Sequence, residues 1–334
     1  MKKISYFKIG SGSRKGFVST FQGKELKETV QENNISKLRN KIFIKSAEDM
    51  NELIDNCIAL TVTSPPYNIG KDSDEDLSDD EYWEMIYKVF REVYRVTESG
   101  GRLVVNVANL GRKPYIPFSK YYIEIISEIG FLMRGEIIWQ KSKGANANFA
   151  WGSWLSASNP VIRDIHEYCL IFSKDSMKNS SKGESTIEKE EFMESTLSIW
   201  NINPARAKKI GHPAPFPVEL AKRFINLYSF KNDLILDPFI GSGSTAIASR
   251  MIDRDYIGYE INADYVEIAN KRIENANYYD KHFSKISEIM IPPRLKNYKI
   301  VYHLYSIFVK KRNQLLKYCL KRGIEAKIHY PVPI

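Results

Sequence analysis

The 334-residue sequence is poor in cysteine and contains no long apolar run. Its three cysteines, Cys57, Cys169 and Cys319, are far apart and lack the spacing of a metal site, so we expect structural thiols, no bound metal and a cytoplasmic location. No stretch approaches the roughly 18 consecutive apolar residues that a membrane span needs. The basic N-terminus has no apolar segment behind it, which argues against a secretory signal.

The net charge of +9 is typical of nucleic-acid-binding proteins, but it is unevenly distributed. Residues 281–334 contain 12 Lys and Arg against 2 Asp and Glu, whereas residues 1–280 contain 37 against 38. The basic excess therefore belongs to the C-terminal segment. Evidence that the preceding residues bind DNA has to come from motifs and not from bulk charge.

Alternating apolar runs and amphipathic stretches predict an α/β protein with a mostly parallel sheet and helices on both faces. We expect an N-terminal arm at 1–40, a main domain at 41–277 and a small basic α+β appendage at 278–334. The predicted strands are a short one within 41–51 and the runs 57–62, 103–107, 135–140, 168–173, 234–236 and 256–259. The predicted helices begin near residues 80, 120, 217, 245 and 263.

A glycine-rich turn follows the apolar run 234–236. It reads Asp-Pro-Phe-Ile-Gly-Ser-Gly-Ser-Thr over residues 237–245 and leads into a predicted helix. Glycines allow a ligand to approach the backbone, and a helix N-terminus favours a phosphate or a carboxylate. The turn is neither a P-loop nor the three-glycine dinucleotide motif, and by itself it is compatible with a tight connection.

Glu260 stands at the end of the next predicted strand, 256–259. An acid in that position can hydrogen-bond two vicinal ribose hydroxyls, as in dinucleotide-binding folds. A solvated strand-end carboxylate is the alternative. Because the glycine-rich turn lies one strand upstream, we interpret Glu260 as a ribose ligand.

The segment Thr63-Ser64-Pro65-Pro66-Tyr67 follows the apolar run 57–62. Its two prolines fix the backbone after Ser64 and remove two N–H donors, which leaves carbonyls to accept from an amino group. A hydroxyl and an aromatic ring stand beside them. A Pro-Pro pair is usually an ordinary turn, but this one lies where open α/β sheets bind ligands.

These motifs, in this order, resemble those of the β-group amino-methyltransferases of restriction–modification systems. Residues 64–67 match the family's catalytic Ser/Asn/Asp-Pro-Pro-Tyr/Phe motif, and residues 237–245 match its cofactor loop, Asp-Pro-Phe-x-Gly-x-Gly-Thr-like. The resemblance covers about residues 41–277. It implies a Rossmann-like, S-adenosylmethionine-dependent methyltransferase fold with a mostly parallel seven-stranded sheet.

The resemblance also implies the residues of the site. The residues implied to be catalytic are Ser64, Pro65, Pro66 and Tyr67. Those implied to bind S-adenosylmethionine are Asp237, Pro238, Phe239, Gly241, Ser242, Gly243, Thr245, Glu260, Asp49, His212 and Pro215. Among them, Asp49 would meet the adenine amino group, and the segment 212–217 would be an additional contact motif.

The motifs predict transfer of a methyl group to the exocyclic amino group of a base. The Ser64 hydroxyl and the Pro65 carbonyl could accept its two hydrogens and aim the nitrogen lone pair. Tyr67 could stack on a base rotated out of the double helix. In the family a first-position serine is commoner with N4 of cytosine, and aspartate with N6 of adenine. The sequence therefore predicts N4 of cytosine, and N6 of adenine remains the alternative.

Two other classes of function are less favoured. A non-catalytic nucleic-acid-binding relative would not need the intact motif at 64–67 or both loop glycines. Methylation of RNA or of protein glutamine is associated with related motifs that begin with Asn instead of Ser. The implied substrate is double-stranded DNA, methylated by a monomer or dimer. A cognate restriction endonuclease would belong to the same system, without direct contact.

Target recognition is expected in two irregular segments, 141–159 and 174–210. The side chains suited to bases or phosphates there are Asn146, Asn148, Trp151, Trp154, Arg206, Lys208 and Lys209. Residues 291–334 instead resemble the C-terminal piece of pyridoxal-phosphate sugar aminotransferases. The lysine-bearing domain of that family is absent, so we expect no aminotransferase activity. A basic DNA-binding extension is the rival interpretation of this segment.

Overall fold

The structure, a computed structural model, describes residues 35–67, 77–111, 114–141, 152–179, 181–205, 216–283, 289–290, 308–309 and 312–322. Contacts divide the chain into two units, Met1–Lys37 and Leu38–Ile334, and the elements below belong to the second. The strands are β1 (Lys41–Ile44), β2 (Ile58–Thr63), β3 (Thr97–Val107), β4 (Leu132–Lys141), β5 (His166–Ser173), β6 (Ile199–Ile202), β7 (Leu234–Asp237), β8 (Asp255–Glu260), β9 (Ile289–Met290) and β10 (Phe308–Val309). The helices are α1 (Asp79–Val96), α2 (Phe118–Ile129), α3 (Lys189–Ser195), α4 (Val218–Tyr228), α5 (Ser244–Met251), α6 (Ala263–Phe283) and α7 (Arg312–Lys321).

The main sheet has eight strands in the order β1-β8-β7-β2-β3-β5-β4-β6. Strand β5 runs antiparallel to both of its neighbours, and the other neighbouring pairs are parallel. The prediction of a mostly parallel α/β sheet is confirmed, but the number of strands is eight and not seven.

The additional strand is β6, which lies in the segment 174–210 that the sequence predicted to be irregular. Its four residues alternate between exposed and buried, and they pair in parallel with the end of β4. Trp200 is only 1% exposed and packs on Phe224 of α4 with ring centroids 4.5 Å apart. Burial of one tryptophan thus stabilises a strand inside a stretch whose Lys, Ser and Glu content suggested a surface loop.

Helix α1 shows how local sequence starts an element. Ser78 and Glu81 form a capping box, in which each side chain accepts a hydrogen bond from the other residue's backbone N–H. The face directed at the sheet consists of fully buried apolar residues three and four apart: Ile86, Val89, Phe90 and Val93. The helix carries the chain from the end of β2 back to the start of β3.

The topology creates a crevice between β2 and β7. From β2 the chain crosses through α1 to β3 on one side, and from β7 it crosses through α5 to β8 on the other. The two strands are adjacent and parallel, with Leu60 opposite Ile235 and Thr61 opposite Leu236. Open α/β sheets bind ligands at the carboxyl ends of strands where the order reverses in this way.

The C-terminal elements do not join the main sheet. Strands β9 and β10 pair with each other in a separate antiparallel sheet. Helix α6 extends to Phe283, beyond the end expected near residue 276. Among the described residues, no helix is both long and apolar enough to cross a membrane.

Candidate active site

The catalytic motif and the glycine-rich turn meet at one buried carboxylate. Asp237 ends β7, and its Oδ1 accepts a 2.7 Å hydrogen bond from the Thr63 hydroxyl at the end of β2. Its Oδ2 accepts a 2.6 Å bond from the Thr245 hydroxyl in α5. The Phe239 N–H also donates to Oδ1, at 3.1 Å. Residues expected to contact a cofactor are therefore bonded to one another.

Burial decides the electrostatics of Asp237. Its side chain is 1% exposed, and burial raises the pKa of the carboxyl to about 6 although Thr245, Thr63 and the Phe239 N–H all donate to it. Thr245 is fully buried as well. These two side chains fix the turn relative to β2, while the backbone of the turn lies at the open end of the strands.

Glu260 ends β8 beside the turn. Its Oε2 accepts a 3.0 Å hydrogen bond from the Gly241 N–H, and its Oε1 accepts a 2.9 Å bond from the Asn262 N–H. Burial raises the pKa of Glu260, and these backbone hydrogen bonds offset the rise only in part. The carboxylate is half-buried, so lone pairs beyond the two used by the backbone can accept from hydroxyl groups.

Gly243 is the N-cap of α5 and has a left-handed backbone, with φ of 82°. A Cβ at this position would lie 2.9 Å from Cβ and 3.3 Å from Cα of Ala269 in α6. The glycine therefore permits close packing of two helices. Next to it, the Arg272 guanidinium of α6 donates to both the carbonyl and the hydroxyl of Ser242.

Ser64 follows β2 and belongs to a chain of hydrogen bonds across the sheet. Its hydroxyl donates to the Asn106 carbonyl at 3.1 Å, and the Asn106 amide nitrogen lies 3.4 Å from the Ser64 Oγ. The same amide nitrogen donates to Glu167 Oε2 at 2.6 Å. Glu167 Oε1 is 2.5 Å from the Lys141 ammonium. Four strands, β2 to β5, thus contribute to the surroundings of Ser64.

Tyr67 and Pro66 are held by neighbouring elements. The Tyr67 hydroxyl accepts a 2.9 Å hydrogen bond from the Ala108 N–H, and its ring lies 6.3 Å from that of Phe118. Burial raises the pKa of Tyr67 well above its usual range, so the hydroxyl keeps its proton. The Pro66 carbonyl accepts from the Tyr82 hydroxyl at 2.7 Å. That carbonyl therefore points towards α1.

The structure does not bring Asp49 together with the other predicted cofactor residues. Its carboxylate is exposed and accepts from the side chain of Asn51 at 3.1 Å. Its neighbours are anchored to the second half of α1, through Glu48 to Lys88 and through the Met50 N–H to Glu92. The carboxyl edge of the sheet lies at the opposite end of that helix.

Several other predicted residues fall outside the described residues: His212, Pro215, Asn146, Asn148, Trp151, Arg206, Lys208 and Lys209. Of the remaining ones, Trp154 is exposed, and Pro238 is buried beneath the turn. In the part of the chain that the structure describes, no group of three His, Cys, Asp or Glu side chains could hold a metal ion.

The structure adds residues that motif inspection did not select. Asn106 and Glu167 lie at strand ends next to Ser64, and Lys141, predicted as part of a recognition segment, pairs with Glu167. Ile261, directly after Glu260, is 58% exposed despite its apolar side chain. A polar residue or an exposed apolar residue at the carboxyl edge of a parallel sheet is the signal that could have identified them.

Comparison with known proteins now decides the family. Residues 58–271 match the N6/N4 methyltransferase family described as DNA methylase. The chain belongs to this DNA methylase family. It is 31% identical over 274 residues to the type II methyltransferase M.MthZI of Methanothermobacter thermautotrophicus, a match that covers 71% of the chain and 77% of the relative.

Two solved structures place the fold of this DNA methylase among its relatives. The DNA modification methylase TTHA0409 of Thermus thermophilus, complexed with S-adenosyl-L-methionine, superposes with a TM-score of 0.57 at 26% identity, covering 71% of this chain and 94% of that one. PvuII DNA methyltransferase (cytosine-N4-specific) gives a TM-score of 0.56 at 19% identity over 72% and 92%, a likeness of fold alone. The expected β-group amino-methyltransferase resemblance is confirmed.

The C-terminal segment of the DNA methylase has a second match. Residues 263–334 match the DegT/DnrJ/EryC1/StrS aminotransferase family, so the similarity predicted for 291–334 begins earlier, at the start of α6. The chain is a DNA amino-methyltransferase by family, and its catalytic motif precedes its glycine-rich turn in sequence.

Proposed function

We propose that this DNA methylase transfers a methyl group from S-adenosylmethionine to N4 of cytosine at a specific site in double-stranded DNA. The observation that carries the proposal is the contact between the two motifs: Thr63, which precedes Ser64, is bonded to Asp237, which begins the glycine-rich turn. A base held at Ser64 and a cofactor held at the turn would therefore be neighbours. The serine at position 64 favours cytosine, and adenine N6 is the other outcome of the test.

The residues around the turn fit S-adenosylmethionine. Glu260 offers carboxylate lone pairs to ribose hydroxyls, and the exposed side chain of Ile261 offers apolar surface to the adenine ring. The N-terminus of α5, at Ser244, favours the carboxylate of the methionyl group. When bound, the cofactor supplies an electrophilic methyl group on a sulfonium. Asp237 and Thr245 support the turn from beneath and do not contact the cofactor themselves.

Ser64 serves the target amine as a hydrogen-bond acceptor. A hydroxyl has one donor hydrogen and two acceptor lone pairs, and the Ser64 hydrogen is directed at the Asn106 carbonyl. A lone pair of Oγ is then available for an N–H of the base. Because the Pro66 carbonyl is engaged by Tyr82, the Pro65 carbonyl is the second acceptor that we assign. Two acceptors direct the amine lone pair away from both of them.

Tyr67 provides the aromatic surface for the rotated base. Its hydroxyl is bonded to the Ala108 N–H, so the ring is held at both its backbone and its hydroxyl end. A ring fixed before the base arrives loses little conformational freedom on binding. The bond also separates two functions of Tyr67, because Phe keeps the ring and Ala removes it.

The test is methyl transfer by Ser64→Ala and Tyr67→Ala to unmethylated mixed-sequence DNA, with tritiated S-adenosylmethionine. Both should lose transfer by about 100-fold or more and keep the cofactor affinity of the wild type in calorimetry. Ser198→Ala, an exposed serine beside β6, is the matched control. Mass spectrometry of the nucleosides should show N4-methylcytosine. N6-methyladenine would correct the base alone, whereas no methylated base with the wild type would overturn the proposed function.

A further inference from the structure

Glu167 reaches the catalytic edge of the sheet because β5 is antiparallel. The parallel strands present their carboxyl ends at this edge, whereas β5 presents its beginning, His166 and Glu167. The Glu167 side chain is only 12% exposed, and its two oxygens have different partners. Oε1 faces the Lys141 ammonium and Oε2 faces the Asn106 amide.

These contacts fix the orientation of the Asn106 amide. Its nitrogen donates to Glu167 Oε2 at 2.6 Å, and its oxygen accepts from the Cys169 thiol at 3.4 Å. Cys169 is fully buried, and burial raises the pKa of its thiol well above the usual range, so the thiol stays protonated and remains a donor. An amide turned by 180° would place N–H against S–H and oxygen against carboxylate. Both neighbours therefore select the same orientation.

The fixed amide determines what Ser64 encounters. Asn106 presents its backbone carbonyl and its amide nitrogen to Ser64, at 3.1 and 3.4 Å from Oγ. The carbonyl takes the hydroxyl hydrogen, and the amide donates towards one lone pair. With the amide reversed, its oxygen would compete for the hydroxyl hydrogen, and the lone pairs of Ser64 would point elsewhere.

We propose that Glu167 is a positioning residue for methyl transfer: by holding the Asn106 amide, it keeps a lone pair of Ser64 directed at the target amine. This inference rests on the proposed role of Ser64. Lys141 holds the other oxygen of Glu167, so the carboxylate cannot rotate away without breaking an ion pair. Glu167 does not contact the base or the cofactor in this scheme.

The test is a double-mutant cycle with Glu167→Gln and Ser64→Ala. A glutamine has one donor and one acceptor group, so it opposes either Lys141 or Asn106 with an N–H. We expect Glu167→Gln to lower kcat by about 10- to 100-fold on mixed-sequence DNA, with the KM for S-adenosylmethionine and the melting temperature unchanged. In the Ser64→Ala background, measured under single-turnover conditions with excess enzyme, the same substitution should have little further effect.

Two further variants keep the test decisive. Glu167→Asp preserves the charge for Lys141 but withdraws the oxygens from Asn106, and it should reduce kcat in the same direction if Glu167→Gln does not fold. Glu136→Gln removes an exposed carboxylate from β4 and should leave kcat at the wild-type value.

The outcomes separate this inference from the proposed function. An equal loss from Glu167→Gln in the wild-type and Ser64→Ala backgrounds would overturn the positioning role, as would full activity of both Glu167 variants. Full activity of Ser64→Ala would instead overturn the proposed function on which the inference rests. Inactive Ser64→Ala together with a fully active Glu167→Gln would contradict the inference alone.

Discussion

Thr63 Oγ1 donates a 2.7 Å hydrogen bond to Asp237 Oδ1 in the interior of the protein, although the two residues are 174 positions apart in sequence. The bond joins the ends of β2 and β7, the two strands at which the strand order reverses. Ser64 directly follows one partner and the glycine-rich turn follows the other. The relative position of the two motifs therefore depends on a single buried carboxylate.

Thr63→Val tests this bond. The substitution preserves the shape of the side chain but removes one hydroxyl donor from Asp237, so we expect the free energy of unfolding to fall by about 1–3 kcal/mol. Methyl transfer should fall more than cofactor affinity, because Ser64 would lose its fixed position relative to the turn. Urea unfolding, calorimetry and the tritiated-methyl assay measure the three quantities.

Thr61→Val is the matched control for Thr63→Val. Thr61 lies in the same strand, is equally buried, and its hydroxyl has no hydrogen-bond partner among the described residues. Replacing an unsatisfied buried hydroxyl by a methyl group should leave stability unchanged or raise it. Equal destabilisation by the two variants would show that the Thr63–Asp237 bond has no special role.

The raised pKa of Asp237 predicts a pH dependence of stability. The pKa is about 6 in the folded protein, against an ordinary value of 3.8, so the folded state binds the proton more tightly than the unfolded state. The resulting stabilisation is complete below pH 3.8 and is lost as the pH rises through 6. The difference corresponds to about 3 kcal/mol.

Asp237→Asn isolates this contribution from the other titrating groups. The unfolding free energy of the wild type minus that of Asp237→Asn should decrease by up to about 3 kcal/mol between about pH 4 and about pH 7. Urea unfolding at several pH values measures the difference. A difference independent of pH, or one that grows with pH, would mean that Asp237 is not buried as its contacts with Thr63 and Thr245 indicate.

Gly243 gives a prediction that the sequence alone placed on the wrong neighbour. A side chain at this position was expected to block the cofactor, but a Cβ would instead meet Ala269 of α6 at 2.9 Å. Gly243→Ala should lower the melting temperature because of this contact and because of its left-handed backbone, which costs about 1–2 kcal/mol for residues with a side chain.

Ala269→Gly separates the two causes at Gly243. Combined with Gly243→Ala, it should relieve the contact between the helices and leave the backbone strain, so the double variant should be less destabilised than the sum of the two single variants. Thermal unfolding and calorimetry with S-adenosylmethionine measure stability and cofactor affinity. Loss of cofactor affinity at an unchanged melting temperature would restore the explanation by direct contact with the ligand.

Local patterns predicted those parts of the molecule that consecutive residues encode. The motif at 64–67 and the turn at 237–245 are recognisable because their chemistry is contained in a few adjacent residues at strand ends. Direction and burial were not predictable in the same way. Asp237 belongs to the turn, yet its side chain faces inwards to Thr63 and Thr245.

Contacts between distant strands were beyond the sequence. Asn106, Glu167 and Lys141 come from three strands whose order was unknown, so nothing in their local sequence connects them to Ser64. Strand β6 was missed because its burial comes from packing on α4 and not from a long apolar run.

The C-terminal segment yields the last prediction. The strongly basic residues after 280 could serve as a DNA clamp, since DNA affinity draws on several cations that neutralise phosphates. However, the catalytic motif, the turn and Glu260 all precede α6, and β9 and β10 form a sheet of their own. Because α6 extends to Phe283, removal should begin after that residue and not near Asn277.

A chain shortened to residues 1–283 should therefore fold, bind S-adenosylmethionine and methylate DNA at a rate comparable with the full chain. Phe308 and Val309 pair with Ile289 and Met290 and not with the main sheet, so their loss should not expose its core. The measurements are cofactor calorimetry and methyl transfer over a range of salt concentrations. If the shortened chain keeps cofactor affinity but loses DNA binding, and its salt dependence flattens, the basic segment is the clamp, because phosphate contacts set the slope of affinity against salt.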